Sequence, residues 1–196
     1  PHNNWRFAGL KLPHNLINVD FTDYDKLKIL INELKPKTVF NLSAYGAYSK
    51  QNDVGAIHIT NYIGTLNLLR ILSETGCNAF VQAGSSSEYG LNCKGASETS
   101  DLIPNSDYAV SKIAAGYLIK YYGKTLEFPC VNLRLYSIYG PWEERDRLVP
   151  TLISNCLQNK LPNFTAENIS RDFVYIDDCT NAFVKAALTA CKTCPG

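Results

Sequence analysis

Three side chains near the middle of this chain have the types and spacing for proton transfer. The run FVQAGSSSEYG begins at Phe80 and ends an apolar segment in Ser85, Ser86 and Ser87. After a polar loop, DYAVSKIAAG carries Tyr108 and Lys112 four residues apart, the spacing that puts two side chains on one helix face. A serine hydroxyl can donate a hydrogen bond to a substrate oxygen, a tyrosine hydroxyl can serve as acid or base, and a nearby ammonium favours the phenolate. Each residue also has a plain structural role open to it. Serines cap strand exits, tyrosines pack under loops and lysines sit solvated on helices.

The chemistry therefore depends on elements that bring residue 85 to residues 108–112. LINV (16–19) reads as a short strand ended by Asp20, and Thr22 as the cap of a helix over 23–34 with the stripe Tyr24, Leu27, Leu30, Ile31 and Leu34. Pro36 stops that helix, and TVFNLSA (38–44) reads as a buried strand. A long helix over 53–75 and the strand AFVQA (79–83) follow. The Tyr108 helix continues towards Lys120, and 129–136 is a further strand. Residues 138–147 read as a loop, 148–158 as a helix, and a last helix starts near Ile176 or Asp177. Strands apolar throughout and alternating with helices predict an α/β fold, a parallel sheet with helices on both faces. Ligands bind at the carboxyl ends of such strands, here marked by Asp20, Ser43 and Ala44, Ser85 and Tyr136.

Composition narrows the function. At 196 residues, 45% hydrophobic and 19% charged, the chain can fill a core of one domain. A net charge of +1 gives no field to steer nucleic acid, and no apolar run is long enough to span a membrane. His2, His14 and His58 do not cluster, and Asp177 and Asp178 read as a helix-start pair, so no metal site is expected. Seven scattered cysteines, an odd count with no secretion signal, suggest a reducing cytoplasm; Cys191 and Cys194 form a lone CxxC at the end.

Seven segments in order carry a resemblance: VDFTD (19–23), NLSAYGAY (41–48), NYIGTLNLL (61–69), GSSSEYG (84–90), YAVSK (108–112), LRLYSIYGPWE (133–143) and RDFVYIDD (171–178). Together they resemble the extended short-chain dehydrogenase/reductase family, the NAD-dependent nucleotide-sugar epimerases, dehydratases and 4-ketosugar reductases. The resemblance implies a Rossmann-type sheet and an NAD or NADP cofactor. It implies Ser85, Tyr108 and Lys112 as catalytic residues, with Lys112 also on the nicotinamide ribose. Asp20 would meet the adenine edge, Ser43 and Ala44 would line the dinucleotide, and Asn61 would support the site. Tyr136 and Ile138 would lie beside nicotinamide and sugar. Ser86, Ser87, Arg147 and Arg171 would face the substrate, an arginine fork suiting diphosphate oxygens. The family's opening strand, glycine-rich turn and helix have no counterpart before Gly46, where Gly9 is the only glycine. The chain thus reads as N-terminally truncated: 1–136 an incomplete dinucleotide-binding domain, 137–172 part of a small C-terminal substrate domain, and 173–196 a helix returning to the first.

Within that family, dehydratases carry acidic residues directly after the catalytic serine or threonine. Here Ser86 and Ser87 stand there and Glu88 comes one place late, which favours an epimerase or a 4-ketosugar reductase over a 4,6-dehydratase. The wording of GSSSEYG and YGPWE resembles enzymes of CDP- or dTDP-deoxysugars in surface-polysaccharide pathways. A degenerate binding protein that kept the fold is the non-enzyme alternative. The family's long helices, here 53–75 and 107–121, imply a homodimer, for which exposed apolar residues on both would speak.

Overall fold

The structure, a computed structural model, describes residue 7 and residues 15–48, 50–162 and 170–193. His2, His14 and Cys194 lie outside the described residues. Among the described residues the chain forms two compact units. One runs from Val19 to Tyr136 and resumes at Thr180; the other takes Ser137–Cys179 with the segment up to Asn18.

The larger unit is built on three parallel strands in the order β1 (Thr38–Asn41), β2 (Ala79–Ala83), β3 (Cys130–Leu133). Asn41, Gln82 and Asn132 stand side by side in this register, and so do Phe40, Val81 and Val131 on the opposite face. The expected parallel α/β sheet is therefore present. Between β1 and β2 run α2 (Val54–His58), a π-helical segment (Ile59–Ile63) and α3 (Gly64–Thr75). Between β2 and β3 runs α4 (Asp107–Thr125). Asn41 bonds to Thr65 of α3 and α4 packs on β3, so these helices cover the Asn41 face. On the other face Phe40 meets Phe183 of α6 (Ile176–Thr193) edge to face, ring centroids 6.0 Å apart. Helices thus cover both faces.

Sequence chemistry explains the ends. The carboxylate of Asp23 accepts the Lys26 N–H and caps α1 (Tyr24–Leu34), the role expected of Thr22. Thr22 is occupied elsewhere, its hydroxyl and N–H both donating to Asp20. Gly76, at φ +86°, closes α3 in the left-handed conformation that a side chain resists. Of the expected α1 stripe, Leu27 and Ile31 are buried in the cluster with Leu69, Leu72, Phe80 and Ile119 and Tyr24 packs against it, while Leu34, in the last turn, is exposed.

Three strand expectations fail. The expected buried strand over 38–44 is confined to Thr38–Asn41, and of its residues only Asn41 is buried. Residues 16–19 form no strand, because no described strand pairs with them, and Leu16 and Ile17 are exposed. The single strand over 129–136 ends at Leu133. The chain then starts β4 (Ser137–Tyr139), inside the expected loop, and pairs it with β5 (Phe173–Tyr175) in the smaller unit. There Tyr139 contacts the rings of Phe173 and Tyr175, cross-strand aromatic packing that a linear hydrophobic pattern does not announce. Helix α5 (Leu148–Leu157) follows β4 near its expected bounds.

Phe80 is fully buried at the centre of the larger core. Phe80→Ala should lower the unfolding free energy by about 3–5 kcal/mol in denaturant titrations, the range for emptying a large aromatic site.

Candidate active site

The site is assembled where β2 ends. Its last carbonyl, that of Ala83, has no ladder partner to continue with and instead accepts the Lys112 ammonium at 2.6 Å. Lys112 is 2% exposed. Burial pulls its pKa below the usual lysine value, and the charge of Glu88 pulls it back up. One turn earlier on α4, burial pushes Tyr108 above its usual value, a hydrogen bond with the Ser85 side chain opposes this, and Glu88 adds to it. The three residues expected to do chemistry therefore lie near one another: the Ser85 side chain is close enough to act on Tyr108, and Lys112 lies buried on the same helix.

Ser85 is held by a capping box. Its hydroxyl accepts the Ser87 N–H at 3.1 Å and its own N–H donates to Glu88 Oε1 at 2.8 Å, which closes the 3₁₀ turn Ser86–Tyr89. The Ser86 N–H goes to the Leu135 carbonyl. Glu88 is fully buried, and its Oε2 accepts Arg134 Nε at 3.0 Å. Its carboxylate is thus turned inward and already bonded.

Asn61, 1% exposed, lies behind the site in the π-helical segment. Its Oδ1 accepts the Tyr45 N–H at 2.9 Å, and its Nδ2 donates to the Tyr45 carbonyl at 2.8 Å and to Ser111 Oγ at 2.9 Å. Ser111 in turn donates to the Tyr108 carbonyl. One amide thereby ties the loop after β1 to the turn of α4 that bears Tyr108, and the extra residue of a π turn aims it there. Gly46, at φ +95°, lets that loop pass closely: a Cβ there would come within 3.3 Å of the Tyr108 ring.

The remaining expected residues fall into two groups. Asp20, Ser43, Ala44, Ser86, Ser87 and Tyr136 belong to the larger unit, most of them beyond strand ends. Asp20 is exposed, and the Thr22 hydroxyl and N–H hold its carboxyl below the usual range. Ser43 donates to Asn41 Oδ1 from both its hydroxyl and its N–H. Ile138, Arg147 and Arg171 belong to the smaller unit, where Arg147 Nε is 3.5 Å from Glu143 and Arg171 is exposed. Among the described residues no group of His, Cys, Asp and Glu could hold a metal, and no helix is long and apolar enough to cross a membrane.

Sequence reasoning missed Arg134 and Asn132, and it read Glu88 only as an acid out of place. The signal for Glu88 was present: serine followed three residues later by glutamate is the capping-box pattern. Arg134 gave none, since its partner lies 46 residues away. A groove of about 1130 Å³ along α4, β3 and residues 98–102 is lined by Glu88 and Arg134 but not by Ser85, Tyr108 or Lys112.

Because burial raises the Tyr108 pKa on folding, the neutral tyrosine stabilises the fold. That contribution is complete below pH 10, the unfolded value, and is lost as pH rises through the folded one. The stability difference between the parent chain and Tyr108→Phe, followed by denaturant unfolding, should stay flat to about pH 10 and then fall.

Comparison with known proteins bears on the family and the fold. The chain is 30% identical over 187 residues to UDP-glucuronate 4-epimerase 4 of Arabidopsis thaliana, covering 91% of this chain and 43% of that protein. It is 30% identical to Protein CapI of Staphylococcus aureus over 84% of this chain and 50% of that one. The chain thus spans about half the length of the curated relatives it matches. Among solved structures, the UDP-glucuronic acid 4-epimerase of Bacillus cereus in complex with UDP-glucuronic acid and NAD is similar with a TM-score of 0.80 and 28% identity, over 98% of this chain and 62% of that one. Residues 2–193 match the sequence profile shared by such enzymes, and the chain belongs to the NAD dependent epimerase/dehydratase family.

Proposed function

We propose that the protein containing this chain is a nucleotide-sugar 4-epimerase that uses Tyr108 as its acid and base. The observation that carries this reading is the gathering of Ser85, Tyr108 and buried Lys112 at the end of β2, where Lys112 bonds the Ala83 carbonyl and a capping box holds Ser85. Ser85 orients a sugar hydroxyl and Tyr108 takes or returns its proton. Lys112 keeps positive charge next to the developing phenolate, which a low-dielectric site makes effective. Serines at 86 and 87 and the inward-turned Glu88 leave no acid at this turn for eliminating water, which weighs against a 4,6-dehydratase. The curated relatives named as 4-epimerases support the same choice.

A dinucleotide fits the residues present at its two ends. The exposed Asp20 carboxylate suits an exocyclic amine, Ser43 and Ala44 follow β1, and Lys112 suits ribose hydroxyls. Among the described residues the first glycine is Gly46, so none of them before β1 forms a glycine-rich turn of the kind that cradles a pyrophosphate. When bound, the nicotinamide supplies hydride chemistry at the carbon whose hydroxyl Tyr108 serves. Tyr136 and Ile138 are assigned to the nicotinamide and sugar, Arg147 to the substrate and Arg171 to its diphosphate.

The wording of residues 84–90 and 138–143 favours a second reading, a 4-ketosugar reductase acting on a CDP- or dTDP-deoxysugar. Full-length protein with a panel of UDP-, CDP- and dTDP-sugars separates the two. An epimerase interconverts sugars without net change in reduced nicotinamide, and a reductase consumes it one for one. Tyr108→Phe should lower turnover at least about 100-fold in either case, and wild-type turnover by that variant would sink both readings.

The assembly we propose is a homodimer through α2, the π segment and α4. Val54, Ile59 and Ile63 are exposed on the first pair, and Val110, Tyr117 and Tyr121 form an exposed stripe on α4. Sedimentation of the full-length protein should give a dimer that Ile59→Glu dissociates; a wild-type monomer at micromolar concentration rules the dimer out.

A further inference from the structure

Glu88 is the one fully buried acidic side chain among the described residues. Burying a carboxylate costs several kcal/mol unless it is paired and fully bonded, and a turn needs no charge to close. Here the carboxylate is engaged on every side. Oε1 accepts from the Ser85 N–H at 2.8 Å and Asn132 Nδ2 at 3.3 Å; Oε2 accepts from Arg134 Nε at 3.0 Å and Asn132 Nδ2 at 3.2 Å. Two glycines make room for it. A Cβ on Gly84 would stand 2.6 Å from Oε1, and one on Gly116 of α4 would stand 3.2 Å from Oε2. Arg134 reaches onward, its Nη1 donating to the Tyr89 hydroxyl at 3.2 Å and to the Glu98 carbonyl at 3.1 Å, with the guanidinium 4.9 Å from the Tyr89 ring centroid.

We propose that Glu88, paired with Arg134, is a positioning residue: it fixes the Ser85 backbone so that the Ser85 hydroxyl meets Tyr108, and it ties that geometry to the 91–103 loop through Glu98. The inference rests on the roles given above to Ser85 and Tyr108. Its charge acts in the same place. Tyr108 and Lys112 lie on α4, Arg134 one residue past β3 and Tyr89 in its own turn, and its charge disfavours the Tyr108 phenolate while favouring the Lys112 ammonium. A merely structural ion pair would stabilise the turn without setting Ser85.

Two double variants of the full-length protein separate these cases, since neither leaves an orphaned charge in the core. Glu88→Ala with Arg134→Met removes the acceptor for the Ser85 N–H; Glu88→Gln with Arg134→Met keeps one. The first should lower kcat at least about tenfold with the nucleotide-sugar KM within about twofold, and the second should recover most of that loss. Tyr108 ionisation, read as phenolate absorbance against the matching Tyr108→Phe variant, should lie at higher pH in the alanine variant than in the glutamine variant, because only the former loosens the Ser85 bond that favours the phenolate. Equal titrations, or a folded alanine variant with wild-type kcat, would overturn the proposal. If the full-length protein turns over no nucleotide sugar, the functional reading fails by itself, and the comparison of Tyr108 titrations still decides the role of Glu88.

Discussion

A parallel sheet leaves backbone donors and acceptors unpaired where its strands end, and this site is organised by the way the end of β2 is satisfied. The Ala83 carbonyl takes the Lys112 ammonium, the Ser85 N–H goes to Glu88, and the Ser86 N–H goes to Leu135. Buried backbone groups that find no partner cost more than a made bond returns. The partners drawn in are therefore placed with little freedom, and they include residues with chemistry to perform.

A second consequence is a polar layer through the core. Asn41 donates to Gln82 and reaches Thr65, whose hydroxyl donates to the Asn61 carbonyl, while Asn132 in register beside Gln82 donates to Glu88. Below this layer the packing is apolar, with Phe80, Leu69, Leu72 and Ile119 in one cluster. Apolar burial supplies most of the stability, and the layer above it specifies geometry. Asn61 shows the division of labour: an isolated buried amide would be destabilising, yet with both Tyr45 backbone groups and Ser111 engaged it locks a loop to a helix. Lys112 and Tyr108 are titratable groups largely withdrawn from water. Both have pKa values displaced by burial against the charged form, and a site that moves a proton uses such displacement.

Much of this was legible in the sequence, for local reasons. The stripe of α1, the long helical stretch of 54–75 and the positions of β1 and β2 follow from hydrophobic period, and Tyr108 and Lys112 share a face because a helix repeats every 3.6 residues. Errors fell where pairing decides. Leu16 to Val19 have strand composition but no described neighbour to bond with, and residues 137–139 lie in turn-like sequence yet pair with 173–175 because that partner is there. Within continuous helical periodicity the π turn at 59–63 left no mark, since one inserted residue shifts the stripe without breaking it.

By itself, then, the sequence determined the fold class and the family and singled out Ser85, Tyr108 and Lys112 as candidates, because these readings depend on local period and on short ordered motifs. The tertiary structure alone decided what Glu88 is. As a residue one place late in a motif it looked idle. With Arg134 brought from 46 positions away, the same carboxylate becomes the buried acceptor that holds the serine, because pairing over that distance is set by how β3 lies beside β2 and not by any spacing along the chain.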